Sequence, residues 1–157
     1  AGVSGGTARP FDLPSSGERG MVTVVDVSDR AARDKAAELI GKLAACAITN
    51  DEFDDAYPRS RDRAVNAVYV WVWHFYDDLH EHRLEGRFAL SPEAVDGFDR
   101  CITFLKSEHA YRWPPLASVP LVGRVLCWLS RRYEMGDHGV WPFVSRDQLS
   151  DAARTAR

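Results

Sequence analysis

The stretch Arg61-Asp-Arg-Ala-Val-Asn-Ala-Val-Tyr-Val-Trp-Val-Trp-His-Phe-Tyr-Asp-Asp-Leu-His-Glu-His-Arg-Leu-Glu85 decides the fold class. Val65, Val68, Tyr69, Val72, Phe75, Tyr76 and Leu79 recur at steps of three and four, which puts them on one face of a helix. Val68 to Trp73, taken alone, reads equally well as a β-branched strand. The three-four pattern continues on both sides of it and favours helix. The spacing therefore predicts one long central helix over 61–85, with Gly86 placed to terminate it.

Working outward, Ser28 reads as an N-cap, and 29–47 reads as a helix with Ala32, Ala36, Leu39, Ile40 and Leu43 inward. Thr49-Asn50-Asp51-Glu52 has the spacing of a capping box and opens a short turn carrying Phe53. That turn must stop before Tyr57-Pro58, because a residue preceding proline avoids the helical region. Ser91-Pro92-Glu93 combines a cap, a proline at the first helical position and an early acid. The helix it opens has Val95, Phe98, Ile102 and Leu105 as its stripe and ends near Ser107. Residues 118–133 read as a further helix, and Ser145 to Gln148 caps a last one ending near Ala153. Trp113-Pro114 and Trp141-Pro142 mark corners packed on the rim of the core. The expected fold is all-α, a compact single-domain bundle of five or six helices. Residues 21–27 are β-branched enough for a short N-terminal strand. Ten of residues 1–20 are Gly, Ser or Pro, so 1–20 reads as a tail and 21–157 as the domain.

The chain has 157 residues, 45% of them hydrophobic, with 20 basic and 23 acidic side chains. That supports one folded domain and excludes global disorder. The near-balanced charge lacks the basic excess of a nucleic-acid binder. No apolar run approaches the roughly 18–20 residues of a membrane span. The start has neither the basic nor the apolar stretch of a signal peptide, so the expected location is cytoplasmic. Three separated cysteines fit reduced thiols there, with Cys101 in the core rather than acting as a nucleophile.

Charge is uneven. Residues 50–99 hold five basic and twelve acidic side chains, while 100–157 hold nine basic and five acidic. Asp51, Glu52, Asp54 and Asp55, with Glu81 and Glu85, form an acidic central surface able to steer a basic protein partner. On a single helix over 61–85, His74, Asp78 and His82 fall on successive turns. Imidazole and carboxylate at that spacing can share a divalent metal ion, although such sites usually recruit a second helix. The bland alternative is a solvated polar face. Arg83, Arg87, Arg131 and Arg132 could hold an anion, or pair locally. No Gly-x-Ser-x-Gly turn and no phosphate loop is present.

Ile48-Thr-Asn-Asp-Glu-Phe-Asp-Asp-Ala-Tyr-Pro58, Tyr76-Asp-Asp-Leu-His-Glu-His-Arg-Leu-Glu-Gly86 and Leu90-Ser-Pro-Glu93 carry a family likeness. Arg100-Cys-Ile-Thr-Phe-Leu-Lys-Ser107 and Tyr111-Arg-Trp-Pro114 extend it. Over about residues 38–114 the chain resembles a group of small uncharacterised bacterial helical proteins. The recurring part is Asp78-Leu79 with His82, Leu84 and Gly86. The group has no assigned function, so the resemblance implies no activity. The expected function is a non-catalytic interaction domain of immunity or regulatory type, needing no cofactor, with a homodimer as a further option. The rival is a metal-dependent enzyme built on His74, Asp78 and His82. A third class is a small organic ligand held among Trp71, Trp113 and Trp141.

Overall fold

The computed structural model describes residues 28–77, 79–114 and 133–155. Five α-helices order the described chain: α1 (Arg30–Ala44), α2 (Asn50–Ala56), α3 (Arg63–Val72), α4 (Pro92–Lys106) and α5 (Arg146–Thr155). Single 3-10 turns occupy Trp73–Phe75, Gly86–Phe88 and His138–Val140. The fold is all-α. The expected strand at 21–27, the tail at 1–20 and most of the expected helix at 118–133 lie outside the described residues. Residue Tyr133, at the end of that expected helix, is described and is not helical.

Among the described residues, α1 and α4 form the most extensive helix pair. The α1 stripe is buried as its spacing requires: Ala32, Ala36, Leu39, Ile40 and Leu43 all sit in the core. The cap is Asp29 rather than Ser28, with the Asp29 carboxylate accepting from the Ala32 amide at 3.1 Å. At its other end α1 closes in a Schellman motif: Ala47 N–H donates to the Lys42 carbonyl at 2.8 Å and Cys46 N–H to that of Leu43 at 3.0 Å. Cys46 stands in the left-handed position at φ 56°, where glycine is usual. α4 begins at Ser91 and Pro92 as expected, with Ser91 Oγ accepting from the Ala94 amide at 3.2 Å. Its buried face is Ala94, Gly97, Phe98, Cys101, Phe104 and Leu105. Val95, expected inward, lies one residue off that face and is exposed. Burial pushes the Cys101 thiol far up, so it stays protonated and inert in the core.

The long helix over 61–85 is not formed. α3 stops at Val72, tightens into the 3-10 turn, and becomes extended at Tyr76 (φ −137°, ψ 167°). Val65, Val68 and Val72 are fully buried, whereas Leu79, the expected end of the same stripe, is 83% exposed. No proline or glycine causes the break. Asp77 instead turns its side chain onto the Leu79 amide at 2.8 Å. Such a local Asx bond competes with the helical ladder. Gly86 is not a helix terminator either; at φ 60° it opens the 3-10 turn Gly86–Phe88.

The two Trp-Pro corners differ. Trp113 is fully buried and donates its indole N–H to the Phe143 carbonyl at 3.1 Å. Trp141, followed by a cis proline peptide, lies half-buried against Trp71 with ring centroids 5.4 Å apart. Trp71 also packs on Phe75 and Phe98, and its ring sits where a Cβ on Gly97 would be, 2.5 Å away. These indoles are occupied with one another and with the core.

One buried ion pair joins the helices. Arg33 and Asp62 are each 2% exposed, and Arg33 Nε donates to Asp62 Oδ2 at 2.6 Å. Arg33 Nη1 donates to the carbonyls of Ser107 (3.3 Å) and His109 (2.9 Å), just beyond α4. Asp62 also caps α3, accepting from Ala64 N–H at 2.8 Å, and accepts from Asp29 N–H at 3.0 Å. Removing one partner of such a pair leaves an uncompensated buried charge, which costs about 3–5 kcal/mol. Asp62→Asn should therefore lower unfolding stability by about that much in urea titration. Arg33→Met in the Asp62→Asn background should recover part of it. A loss below about 1 kcal/mol would show the pair to be solvated.

Candidate functional site

The segment Asp77 to Gly86 is held against α2 chiefly by one buried side chain. Asn50, the first residue of α2 and 1% exposed, commits both ends of its side chain to it. Its amide nitrogen Nδ2 donates to the carbonyls of Asp77 (3.0 Å) and His80 (3.2 Å). Its Oδ1 accepts from His82 N–H at 2.7 Å, and its own main-chain N–H donates to the His82 carbonyl at 3.0 Å. An irregular backbone run that cannot pair with itself is satisfied in this way. The far end is tied to the end of α1: Cys46 Sγ donates to the Leu84 carbonyl at 3.2 Å, and Arg83 Nη1 donates to the Cys46 carbonyl at 2.5 Å.

This clasp sets two acidic runs side by side. The expected capping box is present: Glu52 N–H donates to Thr49 Oγ1 at 3.2 Å, and Thr49 N–H donates to Glu52 Oε2 at 2.9 Å. The same Thr49 hydroxyl donates to Glu81 Oε1 at 2.9 Å, which joins Glu81 to the start of α2. Tyr76 donates its hydroxyl to Asp54 Oδ1 at 2.5 Å. Asp51, Asp55 and Glu85 are exposed. Among the expected surface residues, Glu52, Asp54 and Glu81 thus build the edge, while Asp51, Asp55 and Glu85 face water. Leu79 projects from the middle of the acidic segment.

The expected metal ligands fare differently. His74 sits on the 3-10 turn, exposed, with Nδ1 2.6 Å from the Val70 carbonyl. His82 is partly buried, stacks on Phe88 at 3.7 Å between centroids, and has Nδ1 2.7 Å from the His80 carbonyl. A carbonyl only accepts, so both Nδ1 atoms carry the proton. Asp78 lies outside the described residues. The successive-turn spacing that grouped the three is absent, because the described residues of 76–85 are not helical. Among the described residues, no three His, Cys, Asp or Glu side chains gather as a metal site requires. Of the arginines considered for an anion, Arg83 is spent on Cys46 and Arg87 lies over the Phe88 ring at 4.5 Å. Arg131 and Arg132 lie outside the described residues.

The Leu79 amide, above all, with His80 and His82 nearby, holds the Asp77 carboxyl below its ordinary 3.8. A carboxyl lowered in the folded state stabilises above its unfolded value and loses that contribution as pH falls. No protein family, curated protein or solved structure matches the chain. No described helix is long and apolar enough to cross a membrane.

The clasp makes two outcomes measurable. Asn50→Ala strands two carbonyls and an amide, so hydrogen exchange at His82 should accelerate at least about tenfold, the equivalent of 1.4 kcal/mol, while the core amides of α4 keep most of their protection. Equal acceleration everywhere would mean that Asn50 supports the whole fold. Lowering the pH through and below 3.8 should expose the Leu79 amide to exchange before global unfolding, and Asp77→Ala should abolish that early step.

Proposed function

We propose that this protein is a non-catalytic interaction domain whose acidic edge, made by α2 and the 77–86 segment, receives a basic protein partner. The immunity and regulatory classes both use a surface of this kind. The observation that supports the reading is the Asn50 clasp. A buried asparagine spends both ends of its side chain on holding one acidic run beside another, and the second run carries an exposed leucine, Leu79. Fixed charges raise the encounter rate with a partner of opposite sign, and a central apolar side chain can supply an anchor that the rim charges do not. A cytoplasmic setting and a bacterial source belong to the same proposal.

The test is affinity capture from lysate of the source organism, followed by titration of the purified partner. The domain should retain a protein of basic surface, with an affinity that falls as salt rises. Asp51→Asn/Asp55→Asn/Glu85→Gln leaves the observed bonds of the edge intact. It should weaken binding about tenfold or more, since rim charges act on association. Leu79→Ala should weaken it by slower complex formation or faster release. Failure to retain any protein, or equal binding by the triple variant, would sink the proposal.

A further inference from the structure

A second surface feature lies where α2 ends and α3 begins, directly after the last turn of α2. Tyr57, Pro58, Arg59, Ser60, Asn66 and Tyr69 line a cleft of about 240 Å³. At about 30 Å³ for each water in the liquid, that is space for about eight waters, below the roughly 300–1,000 Å³ of drug-sized sites. It suits one small ring with one polar group.

The walls are fixed before anything binds. The Tyr57 hydroxyl donates to the Val65 carbonyl at 3.0 Å, and its ring lies 5.0 Å from that of Tyr69 and 5.1 Å from that of Phe53. Ser60 Oγ donates to Asp29 Oδ2 at 2.8 Å and accepts from Asp62 N–H at 3.1 Å. Asn66 Nδ2 donates to the Ser60 carbonyl at 3.0 Å, which leaves its Oδ1 and second N–H available. The floor is aromatic, and the rim carries one cation. Arg59 is exposed, and among the described residues no carboxylate lies within ion-pair distance of it. Two acids close to the cleft are engaged elsewhere, Asp29 with Ala32 N–H and Ser60 and Asp62 with Arg33, while Asp55 at the end of α2 is exposed and outside ion-pair distance of Arg59. A planar fork of donors beside an aromatic floor is chemistry for a carboxylate attached to a flat ring.

We infer that this cleft binds a small aromatic carboxylate, its ring against Tyr57 and Tyr69 and its carboxylate on the Arg59 guanidinium. The cleft is lined by none of the acidic side chains of the edge, and its ligand is opposite in sign to the partner proposed there. The test uses the full chain, labelled for amide NMR and titrated with benzoate, with benzamide as the neutral isostere. Benzoate should give saturable shifts at Ser60, Asn66 and Tyr69. Benzamide should bind at least about tenfold more weakly, and Arg59→Gln should lose benzoate binding by a similar factor, because a bidentate charged contact is removed. Lys106→Gln, an exposed cation elsewhere, should bind as the wild type does. An absence of saturation at these amides would overturn the inference. So would equal binding of benzoate and benzamide, or full binding by Arg59→Gln. Retention of the basic partner reads the other surface, so the two proposals fail separately.

Discussion

Arg33 and Asp62 form the contact on which the other helices depend. A guanidinium and a carboxylate buried to this extent are tolerated only when their remaining donors and acceptors find partners. Here they do. Arg33 reaches the carbonyls just beyond α4, and Asp62 caps α3 while holding the residue that caps α1. Arg30 reinforces the same junction, donating to the Ser107 carbonyl at 3.2 Å and to that of Leu105. Three helix ends whose backbone groups would otherwise lack partners are satisfied at one place. The junction fixes where α3 starts, and with it the register of Val65, Val68 and Val72 in the core.

The direction of α3 then sets the path of the chain beyond it. Because Trp71 is wedged over Gly97 and held by Phe75, Phe98 and Trp141, the chain leaves the core near Tyr76. Past that point its backbone needs partners that a helix would have supplied. Asn50 supplies them at one end and Cys46 at the other. The acidic edge is thus a product of backbone satisfaction. Charges that would repel one another in a free loop are brought together because the hydrogen bonds beneath them require that path.

The two surfaces proposed for binding differ in how they are built. The acidic edge carries exposed carboxylates and an exposed leucine, the pattern of a macromolecular contact. The Tyr57–Tyr69 cleft is small, aromatic and rigid, with a cation on its rim that no described carboxylate pairs. Of the groups near them, Cys101 is buried and protonated, His74 and His82 set Nδ1 on main-chain carbonyls, and His80 sets Nδ1 towards the Asp77 carboxylate at 3.4 Å.

The class of fold, the α1 stripe, the Thr49 capping box, the stop before Pro58 and the start of α4 at Ser91-Pro92 are all legible in the chain before it folds. These are local matters, decided by side chains within four residues of one another, and periodicity and capping chemistry report them directly. The acids at 51–55, at 81 and at 85 are legible too, as a charged segment. Long-range packing decides that Asn50 clasps residues 27 to 32 positions away and that Arg33 is buried, and it acts together with the local Asp77 bond where the helix stops after α3. The apolar spacing continues through Leu79, so nothing in the helical pattern signals the break, although the Asp77 Asx turn offers a local hint. A buried arginine reads in sequence like any exposed one, because its partner lies 29 residues away. The same limit applies to His74 and His82, whose grouping required a helix where the chain instead makes the Asp77 turn and the long-range bonds to Asn50.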